Sequence, residues 1–176
     1  MGSDYQAEVP LKTEIVCDGF TLKIEGRADG LIHTKEQVMV DEIKGVLREL
    51  DRVQEPAGIH LAQAKCYASM VAEQEGVDEI GVQMTYCQME TEEVKRFQYS
   101  YQSNELKVWF DEVIRQYKKW AKFQIEWRKA RNASIKGIEF PFPYRKGQRE
   151  LAVSVYRTIL RKKKLFIQAP TGVGKT

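Results

Sequence analysis

The chain has 176 residues, of which 43% are hydrophobic and 30% are charged, a composition typical of a globular domain that can bury a core. No apolar run approaches the roughly 20 residues needed to cross a bilayer, and the N-terminus lacks the basic and apolar regions of a signal peptide. Cys17, Cys66 and Cys87 are odd in number and widely spaced, which excludes a disulfide framework and a cysteine-bound metal. These features predict a cytoplasmic protein without a membrane partner.

The net charge of +3 is unevenly distributed along the chain. Residues 1–104 contain 10 Lys and Arg against 19 Asp and Glu, whereas residues 105–164 contain 17 against 6. Such a distribution suits a phosphodiester substrate. The carboxylates of the acidic half can attract cations, and the Lys and Arg of the basic half can neutralise phosphates. Ordinary solvation of helix surfaces explains the counts equally well, so charge alone leaves both interpretations open.

The first half of the chain predicts the strands and the helix of a mixed sheet. Three antiparallel strands are expected at 11–17, 20–32 and 37–45, because apolar and β-branched residues there are separated by turn signals. A mobile loop containing Pro56 is expected next, followed by a helix that ends at Gly76. Two further strands, at 79–89 and 94–101, complete a βββαββ order. The predicted fold class is therefore α+β, a mixed β-sheet flanked by helices.

Residues 105–134 carry the longest helical pattern, with a stripe of large apolar residues and a basic outer face. We interpret the stripe as core packing, although such a helix could also track a nucleic-acid backbone. The stripe consists of Leu106, Trp109, Phe110, Val113, Tyr117, Trp120, Phe123 and Trp127. Pro141 and Pro143 then break any helix, so residues 1–136 are predicted to form one domain and residues 137–176 a linker and the start of another.

A group of polar residues in the predicted strands indicates a metal site. Glu42 and Lys44 lie two apart in a strand and share a face, whereas Ile43 points the other way into apolar packing. Asp29, in the preceding strand, can lie across from that pair and bring a second carboxylate to the same cation. Asp41 falls on the opposite face and is left out. Carboxylate ligands suit Mg²⁺ or Mn²⁺, and Lys44 would orient a water or offset charge in a transition state.

The predicted helix after the loop adds three polar residues on one face. His60, Gln63 and Tyr67 follow the three-and-four spacing, so all three can face the metal or a substrate strand. His33 falls in a predicted turn, and we expect it to be a solvated loop residue. The alternative for the strand and helix positions together is an exposed ion pair beside ordinary helix surface.

The segments "GRADG", "DEIKG" and "HLAQAKCYA" resemble the successive motifs of the PD-(D/E)XK nuclease superfamily, in its RecB-like exonuclease branch. The resemblance implies a restriction-endonuclease-like fold and a Mg²⁺- or Mn²⁺-dependent nuclease, in particular an exonuclease, that acts on single-stranded or branched DNA. It implies a metal site at Asp29, Glu42 and Ile43, and a substrate site at His60, Gln63 and Tyr67. Lys44, Gln63 and Tyr67 would join the two carboxylates in catalysis.

Two features depart from the resemblance. RecB-like nucleases usually add a ligand, often a histidine, from a helix before the first strand, and this sequence begins almost at that strand. Glu8 and Glu14 are poor substitutes, so one interpretation is that the helix belongs to a longer protein and that this chain binds metal weakly. The scattered cysteines do not support the iron–sulfur cluster found in many members.

The C-terminal "APTGVGKT" resembles the phosphate loop of superfamily 2 helicases, and "FPYRKGQRELAVSVYRTI" resembles their Q motif, as in the Rad3/XPD/DinG-like branch. The resemblance implies that Gln148 contacts adenine and that the loop holds phosphates and Mg²⁺. The loop residues concerned are Gly172, Gly174, Lys175 and Thr176. Because the other motor elements are absent, no ATPase activity is expected, and ATP would be a cofactor only together with a downstream helicase domain.

Three functions remain open at this point. The first is a metal-dependent DNA nuclease domain of a helicase-nuclease. The second is an inactive nuclease-like module that binds DNA or serves as a scaffold. The third is a nucleotide-binding protein whose N-terminal domain regulates it.

Overall fold

The computed structural model describes residues 4–139 and 141–168, which form an α+β fold with a mixed sheet, as predicted. The strands are β1 (Asp4–Cys17), β2 (Phe20–His33), β3 (Val38–Val46), β4 (Glu79–Gln88) and β5 (Val94–Gln102), and the helices are α1 (Gly58–Glu75), α2 (Ser103–Ile135) and α3 (Gln148–Leu160). The chain divides into two compact units, residues 1–122 and 123–176, and each is described by itself. The functional boundary at 136/137 stays a prediction.

The five strands form one sheet in the order β1-β2-β3-β4-β5. All neighbouring strands are antiparallel except β3 and β4, which are parallel and are connected through α1. A parallel pair needs such a crossover because a tight turn can join only antiparallel strands. The predicted antiparallel meander of the first three strands is confirmed, and β1 begins at Asp4, earlier than expected.

Strands β2 and β3 pair with each other over only a short stretch. Their register runs from His33 opposite Val38 to Gly30 opposite Asp41, four pairs, whereas β1 and β2 share 13. Past the last pair, β2 continues beside β1 and β3 continues beside β4. Asp29 and Glu42 are therefore the residues at which β2 and β3 separate.

The pairing of β1 with β2 is interrupted at Asp29. The register passes from Ala7 opposite Gly30 to Val9 opposite Ala28 and skips Glu8 and Asp29. Glu8 adopts a left-handed backbone with φ of 53°, which is unfavourable for a non-glycine residue. This local break lets the backbone at Asp29 depart from the regular pleat.

The core lies between the sheet and α1. Small residues of the helix allow it to approach the sheet closely, and the sheet contributes larger apolar side chains. The fully buried members include Ala64, Ala68, Val71, Val40, Ile80, Val82, Met84 and Tyr86. The helix ends as predicted at Gly76, which has φ of 68° and donates its backbone N–H to Ala72 at 2.9 Å.

Helix α2 corrects the interpretation of its aromatic stripe. Leu106, Phe110 and Ile114 are buried in the first turns of the helix, as core residues should be. Further along, the stripe is exposed: Trp120 and Trp127 keep 66% and 56% of their surface accessible. Core packing was therefore the wrong interpretation for the later part of the stripe, which consists of Tyr117, Trp120, Phe123 and Trp127.

The segment predicted as a loop contains a 3₁₀ helix at Leu50–Arg52. Leu50 and Val53 are buried in the core, so the loop is anchored beside the end of β3. His33 also differs from its prediction, because it is the last residue of β2 and its Nε2 lies 3.0 Å from Glu75. In the second unit, none of the described residues of α3 is buried. None of the helices in the described ranges has the length and apolar content that crossing a bilayer requires.

Candidate functional site

Asp29 is tied to the motif in the neighbouring strand. Its Oδ2 accepts a hydrogen bond of 2.8 Å from the backbone N–H of Ile43, the residue between Glu42 and Lys44. Because β2 and β3 have stopped pairing here, a side-chain carboxylate takes the place of a strand carbonyl as acceptor. The juxtaposition predicted for the two strands is thus present in the structure.

Glu42 is a buried carboxylate whose two oxygens differ. The residue is 1% exposed, and its Oε1 accepts a hydrogen bond of 2.6 Å from Lys44 Nζ. Its Oε2 is also buried and has no hydrogen-bond partner among the described residues. Leaving a buried carboxylate oxygen unpaired is unfavourable, so this atom marks a position for a cation or a donor.

The burial and the charged neighbours of Glu42 shift its pKa. Burial raises the pKa of Glu42, the hydrogen bond and charge of Lys44 lower it, and the nearby carboxylates of Asp29 and Asp41 raise it again. The net effect is a pKa above the usual value, because burial outweighs the ion pair. A cation between Asp29 and Glu42 would offset the repulsion between these carboxylates and stabilise the charged form of Glu42.

Lys44 begins a chain of hydrogen bonds that ends on α1. Its Nζ donates to Gln63 Oε1 at 3.2 Å, and Gln63 Nε2 donates to Tyr67 Oη at 3.2 Å. The ring of Tyr67 lies directly over Gly26 of β2, where a Cβ would come within 2.5 Å of the ring edge. The two helix residues therefore hold the ammonium group of Lys44 beside Glu42.

His60 lies one turn before Gln63 and is half-buried. Its Nδ1 is 3.0 Å from Tyr86 Oη. Burial lowers the pKa of His60, and the positive charges of Lys44 and Arg48 lower it further. Because Gln63, one turn further along the same helix, contacts Lys44, His60 is assigned to the same site.

Asp41 belongs to a separate polar cluster. Its Oδ1 accepts a hydrogen bond of 2.6 Å from Thr85 Oγ1, and both residues are buried. Gln83 donates to the same hydroxyl at 3.3 Å and accepts from Gln98 at 2.7 Å. Leaving Asp41 out of the candidate site agrees with these contacts.

Ile43 differs from its prediction in one respect. We expected its side chain to pack in the apolar core, but it is 41% exposed. Its backbone is the part that belongs to the site, because the N–H is bound by Asp29.

The predicted nucleotide-binding residues belong to the second unit. Gln148 begins α3, and its Oε1 accepts a hydrogen bond of 2.8 Å from the backbone N–H of Arg145. Gly172, Gly174, Lys175 and Thr176 lie outside the described residues. The predictions for the phosphate loop therefore stay predictions.

The donor set for a metal is small. No group of three or more His, Cys, Asp or Glu side chains among the described residues could hold an ion. Asp29 and Glu42 offer two carboxylates, and a backbone carbonyl or waters would have to supply the other oxygens. Such a set fits Mg²⁺ or Mn²⁺, because Mg²⁺ in particular keeps several waters when it binds proteins through one or two carboxylates.

Two residues of the site were missed in the sequence. Gly26 leaves room for the ring of Tyr67, which packs directly against its backbone, and Tyr86 contacts His60. A tyrosine within a run of apolar strand residues is a signal for Tyr86, since a buried phenol needs a hydrogen-bond partner. Gly26 had no comparable signal, because a glycine in a strand indicates a close approach without saying to what.

Comparisons with known proteins add little to this geometry. No family model matches the chain, and no curated protein matches it. Solved structures that match include one described as the crystal structure of SSO0001, with 20% sequence identity and a TM-score of 0.37. The alignment covers 58% of this chain and 45% of that protein, so the chain spans less than half the length of SSO0001. A likeness this low carries no argument about function.

Proposed function

We propose that the chain contains a metal-dependent DNA nuclease domain whose site is formed by Asp29, Glu42 and Lys44. The observation that carries the proposal is Glu42, a fully buried carboxylate with one oxygen bound to Lys44 and the other unpaired within the part of the chain that the structure describes. It lies where β2 and β3 separate, next to the strand position of Asp29. Most buried polar atoms that only stabilise a fold are paired, so the unpaired oxygen of Glu42 favours a ligand at this position.

The residues of the site have distinct tasks in this proposal. A divalent cation held by Asp29 and Glu42 would supply a Lewis acid and a bound water of lowered pKa. Lys44 would offset the negative charge that develops on the scissile phosphate. Gln63 and Tyr67 would keep Lys44 in place through their hydrogen bonds.

DNA is proposed as the substrate on two grounds. The residues from 105 to 164 carry a strong excess of Lys and Arg, which favours binding to phosphates. The helicase-like motifs within residues 142–176 make nucleic acid the natural substrate of the preceding domain. Single-stranded or branched DNA, exonuclease action and a downstream helicase partner follow from the resemblance and remain part of the proposal.

A second candidate function is a DNA-binding or scaffolding module without catalysis. The observation in its favour is the small donor set, since two carboxylates alone hold Mg²⁺ weakly. In this case Lys44 and Glu42 would form a permanent ion pair.

Cleavage of labelled single-stranded and branched DNA in Mn²⁺ tests the two candidates. We expect cleavage by the wild type and none by Asp29→Ala or Glu42→Ala. Glu25→Ala is the matched control, because it removes an exposed carboxylate from the same strand as Asp29. If no protein cleaves and all retard DNA equally, the binding module is correct and the nuclease proposal is wrong.

A further inference from the structure

The hydroxyl group of Tyr86 joins the sheet to the start of α1. Tyr86 is fully buried in β4, and its Oη lies 3.1 Å from the backbone N of Ala57 and 3.0 Å from Nδ1 of His60. Its ring packs edge-on against Phe97 with the centroids 6.1 Å apart. The phenol is therefore held by the core, and both of its polar neighbours lie at the N-terminus of the helix.

The hydrogen bonds of this hydroxyl determine which nitrogen of His60 carries the proton. The backbone N–H of Ala57 can only donate, so the oxygen of Tyr86 accepts from it. If Nδ1 of His60 also donated, the hydroxyl hydrogen of Tyr86 would be buried without an acceptor, which is unfavourable. The N–H of Ala57, the hydroxyl of Tyr86 and Nδ1 of His60 are all paired when Tyr86 donates to Nδ1, and the proton of His60 is then on Nε2.

The surroundings keep this imidazole neutral. Burial lowers the pKa of His60, and so do the positive charges of Lys44 on β3 and Arg48 after it. A neutral ring with Nδ1 occupied offers one remaining polar group, the Nε2–H donor. Nε2 makes no hydrogen bond among the described residues.

We infer that Tyr86 is a positioning residue, which fixes His60 as a neutral imidazole whose Nε2–H donates to a phosphate oxygen of the DNA strand beside Lys44. The inference rests on the proposed nuclease function for the identity of the substrate. The tautomer and the charge of the His60 ring are inferred independently of that function. The site would then present one charged donor and one neutral donor, each fixed by a separate chain of hydrogen bonds.

Nitrogen NMR of the ¹⁵N-histidine-labelled full chain tests the state of the ring. The chain has only two histidines, so His33→Gln assigns the signals. We expect the Nε2–H form in the wild type. In Tyr86→Phe we expect a mixture of both forms and a higher pKa of His60, because the donor that favoured the neutral ring is lost.

Phe97→Leu is the matched control, since it alters the packing of the same ring and keeps the hydroxyl. It should leave the Nε2–H form unchanged. An Nδ1–H form in the wild type would overturn the inference, even if Tyr86→Phe failed to fold. An unchanged ring in folded Tyr86→Phe would overturn it equally.

Kinetics test the role toward substrate. We expect Tyr86→Phe and His60→Leu each to lower kcat roughly tenfold, with no further loss in the double variant, because each disrupts the same oriented hydrogen bond and leucine has no donor to replace Nε2–H. Full activity of both variants would overturn the positioning role. An absence of cleavage by the wild type would instead overturn the proposed function and the contact with DNA, while the NMR result would still decide the state of the ring.

Discussion

The carboxylate of Asp29 binds the backbone amide of Ile43 at 2.8 Å, and this contact joins the two strands of the candidate site just past their last pair. It fixes the position of one carboxylate relative to the strand that carries Glu42 and Lys44. Asp29 therefore has two tasks in the proposed site, since one oxygen holds the strand and the carboxylate as a whole would supply charge for a cation.

Asparagine at position 29 separates these tasks. Asp29→Asn keeps an oxygen that can accept from Ile43 but loses the charge, so we expect a free energy of unfolding within about 0.5 kcal/mol of the wild type. We expect Mn²⁺ affinity to fall roughly tenfold or more, because ligand charge determines affinity for hard cations. Urea denaturation and isothermal titration with Mn²⁺ measure the two quantities.

Asp29→Ala is the companion variant, because it loses the hydrogen bond as well. We expect it to be less stable than Asp29→Asn by about 1 kcal/mol. Equal stability of the two variants would show that the contact with Ile43 contributes nothing. Unchanged Mn²⁺ affinity in both would remove Asp29 from the metal site.

Glu42 predicts an unusual pH dependence of stability in the absence of metal. Its pKa is higher in the folded chain than the ordinary 4.5, so the unfolded chain loses its proton first as pH rises. The contribution of Glu42 to stability should therefore fall from about pH 4.5 until the pH exceeds its folded pKa, and be constant above it. Glu42→Gln has no charge to desolvate and keeps an acceptor for Lys44, so this fall should be absent.

Urea denaturation of both proteins at a series of pH values measures the difference between them. We expect Glu42→Gln to be the more stable protein at neutral pH, and Mn²⁺ to stabilise only the wild type. Greater stability of the wild type at neutral pH in the absence of metal would mean that the ion pair with Lys44 outweighs burial.

Gly26 should be required for the observed position of the Tyr67 ring. In Gly26→Ala the new Cβ would lie 2.5 Å from Tyr67 Cε1 and 2.8 Å from its Oη, so the ring must move. We expect a loss of about 1 to 3 kcal/mol in stability from overpacking. We also expect a loss of the proposed nuclease activity, because a displaced Tyr67 no longer holds Gln63, and Gln63 then no longer holds Lys44. Thermal unfolding and cleavage rates measure the two effects.

Gly45→Ala is the control for this substitution. Its new Cβ would meet the sulfur of Met89, the end of a flexible and 63% exposed side chain that can move aside. A similar loss of stability in both variants would indicate a general cost of alanine in these strands.

Thr85 should stabilise the buried carboxylate of Asp41. Thr85→Val removes the donor of the 2.6 Å hydrogen bond and leaves the carboxylate oxygen without it, which should cost about 1 to 3 kcal/mol. Thr85→Ser keeps the hydroxyl and should lose much less. A small loss in Thr85→Val beside a larger loss in Thr85→Ser would show that the methyl group, and not the hydrogen bond, stabilises this position.

Two features of the fold were predicted from the residues next to them in the sequence: the faces of β3 and the end of α1. Strand alternation correctly assigned Glu42 and Lys44 to one contact group and Asp41 to another, because side chains on a strand repeat every two residues. A glycine that can adopt positive φ correctly ended α1 at Gly76.

Features that depend on distant partners could not be predicted in the same way. The spacing of Trp120 and Trp127 shows that one face of α2 is apolar, but spacing does not say whether anything covers that face. The left-handed backbone of Glu8 had no signal either, since glutamate does not favour it and only the surrounding sheet imposes it. The left-handed backbone of Glu8 accompanies the break in strand pairing at Asp29, and this break orients the predicted ligand Asp29.

Anomalous diffraction at the manganese edge, from crystals of this chain soaked in Mn²⁺, is the most direct measurement of the central claim. We predict one strong peak within about 2.3 Å of carboxylate oxygens of both Asp29 and Glu42, and its loss in crystals of Glu42→Gln. A saturating soak that leaves this position empty, or a peak that persists unchanged in Glu42→Gln, would contradict the account.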